Sequence, residues 1–240
     1  MIYSFSGTGN SDYVARLLRE ALGEDDRDDV LGLVFPVHAW GIPLKLEEWL
    51  EPIFRQESSD GKWSHVYLVM TCGSEAGYCE RTFPYPFDAA YSVIMPNTYV
   101  ALPFFSTDPE KLEQQKVEAA LPRVQHIADQ VRRQVREIDV KRGFWPWLMT
   151  YKLRPFFSKH LARPRHLHVD ASKCNGCGKC AKVCPLRNIS VSNSQATHAD
   201  QCCLCLGCYH HCPQKAIWVG PSGKGKGQKK LARKEIKPGV

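Results

Sequence analysis

One cysteine pattern is written twice near the end of this 240-residue chain. Cys174, Cys177, Cys180 and Cys184 are followed by Pro185, and Cys202, Cys205, Cys208 and Cys212 are followed by Pro213. Successive cysteines are separated by two, two and three residues in both copies, and each cysteine of the second copy lies 28 positions after its counterpart. Ile189 with Ile217 and Val191 with Val219 keep the same offset. Nine of the eleven cysteines crowd into 39 residues, so these thiols constrain the fold of that region more than any apolar pattern does. A disulfide framework belongs to short secreted chains. A zinc ribbon uses two separated pairs of cysteines, not two runs of four.

The spacing is instead that of a bacterial two-cluster ferredoxin, in which the fourth cysteine of each run ligates the other cluster. Three closely spaced thiolates wrap three corners of an iron–sulfur cube, and the proline turns the chain so that the fourth reaches across. Cys174, Cys177, Cys180 and Cys212 are expected to hold one [4Fe–4S] cluster, and Cys202, Cys205, Cys208 and Cys184 the other. Cys203 breaks the spacing and is expected not to be a ligand.

The length suits one ordinary domain plus a small one. No apolar run approaches the ~20 residues needed to span a bilayer. Met1 to Ser11 lacks a basic region followed by an apolar stretch, so no secretory signal is visible. Thiolate ligands must stay reduced until clusters are built, which favours the cytoplasm. The formal charge of +7 is concentrated at the end: residues 221–240 carry seven Lys or Arg against Glu235 alone. That segment opens with alternating Gly and Lys and reads as a solvated, flexible basic tail. Nothing resembles a nucleic-acid module.

At the other end, the apolar run Ile2, Tyr3 and Phe5 leads into Ser6-Gly7-Thr8-Gly9-Asn10-Ser11, and then Val14, Leu17, Leu18 and Leu22 fall at helical spacing. A strand, a Gly- and hydroxyl-rich turn and a helix form an anion-binding nest at a helix N-terminus. The Lys-Ser/Thr pair of a P-loop is missing, and Asp12 stands where a dinucleotide fingerprint needs its third glycine. What remains is an uncharged loop whose Ser6, Thr8 and Ser11 hydroxyls suit a terminal phosphate monoester, as flavodoxins hold the phosphate of FMN. FMN and not FAD is expected, because an adenylate would run into the helix.

Two further strand-to-helix turns belong with it. The strand Leu31 to Val37 ends in Pro36-Val37-His38-Ala39-Trp40-Gly41-Ile42-Pro43, and Val66, Leu68 and Val69 lead into Thr71-Cys72-Gly73. Ligands of open parallel sheets bind at such strand ends. Trp40 is placed to stack on a flat ring, while glycines let backbone N–H groups approach its heteroatoms. Candidate cofactor-binding residues are thus Ser6 to Ser11, Pro36, Val37, His38, Trp40, Gly41, Thr71, Cys72 and Gly73. No acid–base constellation is visible, so no catalytic residue is assigned. Cys72 and Cys79 read as loop residues, not nucleophiles.

With these motifs in view, residues 1 to about 220 resemble the flavodoxin–ferredoxin fusion proteins common in anaerobes. The resemblance implies a flavodoxin-like α/β domain that binds FMN, joined to a small α+β domain with two [4Fe–4S] clusters. Only about eight residues separate the first helix from the Leu31 strand, so about four parallel strands are expected in place of five. Pro84 and Pro86 should shorten or break the helix after Gly73. The family's tyrosine before the loop tryptophan is His38 here, and its Pro-x-Asn-Tyr is Pro96-Asn97-Thr98-Tyr99.

Thr107 and Glu110 read as a capping box, opening a helix to about Asp139 that Pro122 should kink. Residues 143–166 mix Phe144, Trp145, Trp147, Tyr151, Phe156 and Phe157 with Lys152, Arg154 and Lys159. This segment reads as a linker helix wedged between domains, with a membrane-surface contact as the alternative. The expected organisation is a flavodoxin-like domain at 1–139, the linker at 140–166, the two-cluster domain at 167–220 and the tail at 221–240. The expected function is electron transfer between one-electron carriers and a two-electron donor or acceptor, with ferredoxin, flavodoxin or an oxidoreductase as partner. An iron–sulfur flavoenzyme that reduces a small substrate, and a redox sensor, are the alternatives.

Overall fold

The apolar runs of the first half pair as parallel strands. In the computed structural model, which describes residues 1–55, 63–102, 105–160, 167–220 and 226–229, β1 (Ile2–Ser4), β2 (Val30–Pro36), β3 (His65–Cys72) and β4 (Ala89–Ile94) lie side by side in chain order. β5 (Ile138–Asp139) pairs parallel with β4, so the sheet has five strands and not about four. The fifth holds two residues, too few to carry a periodic signal. The mixed α/β architecture with this parallel sheet is consistent with a flavodoxin-like fold.

Period-two alternation sorts the side chains, and both faces are covered, as parallel sheets require. Leu31, Leu33 and Phe35 of β2 and Leu68 and Met70 of β3 pack with Leu46 and Leu50 of α2 (Leu46–Arg55). Val30, Val34, Tyr67 and Val69 face α1 (Asn10–Leu22) and α3 (Glu110–Arg132), which pack together. Every crossover advances one strand in the same direction, yet α1 and α3 lie on the face opposite α2. The crossovers through α1 and α3 therefore have the opposite hand to that through α2, a departure from the usual uniform right-handedness. Only a 3-10 turn, Gly23–Asp25, and a short loop separate α1 from β2, so α1 feeds no outer edge strand.

Between β3 and β4 the full helix is replaced by a 3-10 turn, Cys79–Thr82, ahead of Pro84 and Pro86. α3 begins at Glu110 with Pro109 as its cap and no side-chain capping bond, so the capping box at Thr107 does not form. Asp108 instead accepts hydrogen bonds from the Asn97 amide at 2.8 Å and from Lys116 at 2.6 Å. The helix runs through Pro122 and ends at Arg132, short of Asp139.

The connecting segment is helical from Pro146 to His160, as α4 (Pro146–Leu148), a π-helical turn at Met149–Leu153 and α5 (Arg154–His160), while residues 161–166 of the expected linker lie outside the described residues. Beyond it, β6 (Leu167–Val169) pairs antiparallel with β9 (Ile217–Val219), and β7 (Ile189–Ser192) forms a hairpin with β8 (Gln195–His198). α6 (Lys179–Lys182) and α7 (Gly207–His211) start 28 residues apart, as β7 and β9 do, so the sequence repeat is also a repeat of elements.

The part of the basic tail that is described is held down, contrary to the flexible end expected. Lys226 donates to the carbonyls of Val100 at 3.1 Å, Phe105 at 2.7 Å and Leu102. Gln228 Nε2 donates to the carbonyls of Tyr209 and Cys212, and Lys229 pairs with Glu113 at 2.8 Å. The side chains of Lys226, Gln228 and Lys229 thus tie the cysteine-rich half to the segment after β4 and to α3. Residues 221–225 and 230–240 lie outside the described residues.

Candidate cofactor sites

A cavity of about 290 Å³ opens over the C-terminal ends of β1 to β4. It gathers Ser6, Gly7, Thr8, Asn10, Ser11, Pro36, Val37, His38, Trp40, Thr71, Cys72 and Gly73, every candidate cofactor residue of the sequence except Gly9 and Gly41. Those two act through the backbone. Gly9 caps α1 with φ 99°, a left-handed conformation that leaves the first helical N–H groups without a side-chain cap. Gly41 closes the loop by exchanging backbone hydrogen bonds with His38, and the Arg154 guanidinium occupies the space its Cβ would need.

The hydroxyl loop is set by its own bonds. Ser6 Oγ accepts from the Gly9 amide at 3.2 Å, Thr8 and Thr98 hydroxyls meet at 3.3 Å, and the buried Ser11 and Thr71 hydroxyls at 2.9 Å. Asn10 donates through Nδ2 to the Pro96 carbonyl, while its buried Oδ1 has no partner among the described residues. A buried acceptor without a donor is costly, and a ligand bearing hydroxyls would supply one. Asp12 is turned away, accepting from Ser4 Oγ at 2.8 Å.

The Trp40 loop is clamped from three sides. The indole N–H donates to Glu75 at 3.0 Å, Thr150 Oγ1 donates to the Trp40 carbonyl at 3.1 Å, and Arg154 donates to the carbonyls of His38 at 2.8 Å and Ile42 at 2.9 Å. Ala39 and Trp40 both have positive φ, 47° and 59°, so this loop holds a strained backbone that its neighbours fix. Burial, followed by the Arg154 charge, pushes His38 down to about 4 and leaves it neutral. Burial pushes Cys72 up to about 12 and Cys79 higher still, so neither thiol ionises readily as a nucleophile must.

The cysteines divide between two further cavities. Cys174, Cys177, Cys180 and Cys212 line one, and Cys184, Cys202, Cys205 and Cys208 line the other together with Cys203. Among the described residues no three His, Cys, Asp or Glu side chains converge on a single metal ion. A cube, whose irons sit at separate corners, needs thiols arrayed around a space instead. The amides of Asn188 and Ala216 donate to Sγ of Cys184 and Cys212, each at 3.3 Å and each four residues on, and the Leu204 amide donates to Cys202 at 3.3 Å. Amide bonds to sulfur favour thiolates and tune cluster potentials. Burial pushes Cys202 up to about 11 and Cys208 well above its ordinary value, so a positively charged iron group suits these sites by offsetting the cost of the buried thiolates. Cys203 lines the second cavity beside Cys205, and the hydrogen bond between the two thiols favours the Cys205 thiolate.

The sheet cavity and the second cysteine cavity share a wall. Cys203 and Cys205 line both. A Cβ added at Gly7 would lie 2.8 Å from Sγ of Cys205, and one at Gly207 would lie 2.7 Å from the Gly7 carbonyl. Two glycines thus let the hydroxyl loop and the cysteine loop touch backbone to backbone. This junction, and the contribution of Arg154, Phe157 and Ser158 from the linker, were not legible in the sequence, because contacts between distant segments leave no local pattern. Thr98 and Tyr99 also line the cavity and could have been found, since they follow β4 as the other loops follow their strands. Asn97 uses its own side chain on the Ser106 carbonyl and the Tyr99 amide and so shapes this turn.

Residues 166–191 match the family described as a 4Fe-4S binding domain. No curated protein sequence matches the chain. The matched segment contains the first cysteine run, which supports at least one iron–sulfur cluster and a role in iron–sulfur electron transfer.

Proposed function

We propose that the chain is an electron-transfer protein that relays electrons between two [4Fe–4S] clusters and an FMN. The observation that carries this reading is the shared wall: the cavity over the strand ends is bounded by the same Cys203–Cys205 loop that lines the second cysteine cavity. Clusters exchange single electrons and a flavin one or two, so a protein that holds both converts between them.

The residues present fit that assignment. The uncapped start of α1 with the Thr8 and Ser11 hydroxyls suits a phosphate, and Asn10 Oδ1 suits a hydroxyl donor. Trp40, fixed by Glu75 and Thr150, offers a rigid aromatic wall, and the half-buried Arg154 places a cation beside the His38–Ile42 loop. Cys174, Cys177, Cys180 and Cys212 would hold one cluster, and Cys184, Cys202, Cys205 and Cys208 the other. His38 is neutral and Glu75 is bonded to Trp40, so neither stands as a free proton donor. That favours a carrier over an enzyme acting on a small substrate.

Anaerobic preparation followed by iron, sulfide and flavin analysis tests the reading. About eight irons, about eight sulfides and one FMN per chain are expected. Zinc in the cysteine sites, or a single cluster after reconstitution, would overturn it.

A further inference from the structure

The linker helix presents two faces with different partners. Thr150, Arg154 and Phe157, at helical spacing, turn inward to the Trp40 loop and the cavity. The outward face leaves Phe144 77 % exposed, Trp145 63 %, Phe156 59 % and Trp147 54 %, with Tyr151 and Leu153 beside them. The rings meet in pairs, Phe144 with Trp145 and Trp147 with Tyr151, and Lys152 lies over Trp147 at 5.4 Å. A soluble protein rarely leaves so many neighbouring large apolar groups in water without a partner for them.

The charge of the segment says which partner. Residues 140–160 contain Lys141, Arg142, Lys152, Arg154 and Lys159 and no Asp or Glu. Arg142 is used by Glu80 and Arg154 lies inward, but Lys152 is exposed over the Trp147 ring and Lys141 is exposed as well. Protein interfaces favour aromatics but deplete lysine at their centre. Exposed Trp and Phe with Lys beside them, in a stretch whose own sequence has no Asp or Glu, match the boundary of an anionic bilayer, where rings sit at headgroup depth and lysines reach the lipid phosphates. Among the described residues no helix is long and apolar enough to cross a membrane, so the contact would lie on the surface.

We infer that the exposed face of residues 144–160 seats the protein on an anionic lipid surface. The inference stands apart from the flavin assignment, since it uses only the outward side chains. The test is sedimentation of the cluster-loaded full chain with vesicles of phosphatidylcholine alone or mixed with phosphatidylglycerol. Binding to the mixed vesicles, weakened by salt, is expected, and the Trp145→Ser/Trp147→Ser variant should bind about tenfold more weakly with an unchanged cluster spectrum. The inference is overturned if the wild type binds neither vesicle, or both equally. It is also overturned if the variant binds as tightly as the wild type, which would leave the basic tail as the anchor. A dimer in solution that the variant splits into monomers would make this face a contact between copies, and would overturn it too.

Discussion

The two halves of the molecule are held together by different physics. The sheet half buries Leu31, Leu33, Val34, Phe35, Leu68, Val69 and Met70 at full depth between helices on both faces. The cysteine-rich half has strands of three or four residues and helices of four or five, and four of its buried side chains are cysteines, Cys180, Cys203, Cys208 and Cys212. Elements so short cannot bury enough apolar surface to offset their ordering entropy. The first half can fold on its apolar residues, whereas the second, on the proposed assignment, would use its iron–sulfur groups as core.

The largest effect that would break this contrast comes from removing iron. Chelation under reducing conditions should expose the amides of residues 167–220 to hydrogen exchange while those of β2 and β3 stay protected. Equal loss of protection in both halves would show that one core serves the whole chain. Next in size is Cys205→Ser, which should lose or convert one cluster, whereas Cys203→Ser keeps a hydroxyl donor toward Cys205 and should leave the iron content unchanged. Iron analysis that finds the reverse would reassign the ligands.

At the junction between the halves, Gly7→Ala must displace either the hydroxyl loop or Cys205, because the new Cβ would sit 2.8 Å from that sulfur. It should alter the cluster's paramagnetic spectrum and weaken FMN binding together, and a change in one without the other would uncouple the two sites. Thr8→Ala acts on the sheet side alone. The loss of one hydroxyl bond to a charged phosphate, about 1.5–3 kcal/mol, should weaken FMN binding roughly ten- to a hundred-fold with both clusters intact.

The smallest effect concerns His65, buried at the start of β3 with no partner for Nε2 among the described residues. Burial lowers its proton affinity below the ordinary value, an effect that outweighs the attraction of Asp88. The folded state therefore binds fewer protons than the unfolded state. The stability this confers is complete above the unfolded value near pH ~6.5 and is lost as pH falls below it. His65→Phe should flatten the loss of thermal stability of the sheet half between neutral and mildly acid pH, and an unchanged slope would place the titrating group elsewhere.

Much of this contrast is legible in the sequence, for unequal reasons. The cysteine sites are legible because ligand spacing is a local constraint that repeats after 28 residues. The hydroxyl loop, the Trp40 loop and Thr71 to Gly73 are legible because each ends a strand, and parallel topology brings strand ends together. β5 was missed because two residues have no period. The capping box at Thr107 fails because Asp108 is drawn to Lys116 and the Asn97 amide, a choice made by tertiary contacts. Arg154, the hold of Lys226 on the carbonyls of Val100 and Phe105, and the Gly7–Cys205 contact join residues more than a hundred positions apart. No local pattern encodes them.

The proposed FMN site over the strand ends and the second cluster site lie in two cavities that share the Cys203–Cys205 wall, and an anaerobic FMN titration of the cluster-loaded chain tests that pairing most directly. Saturation at one FMN per chain, with flavin fluorescence quenched and the spectrum of one cluster perturbed, is the predicted result. A folded chain with both clusters that binds no FMN at millimolar concentration would contradict it.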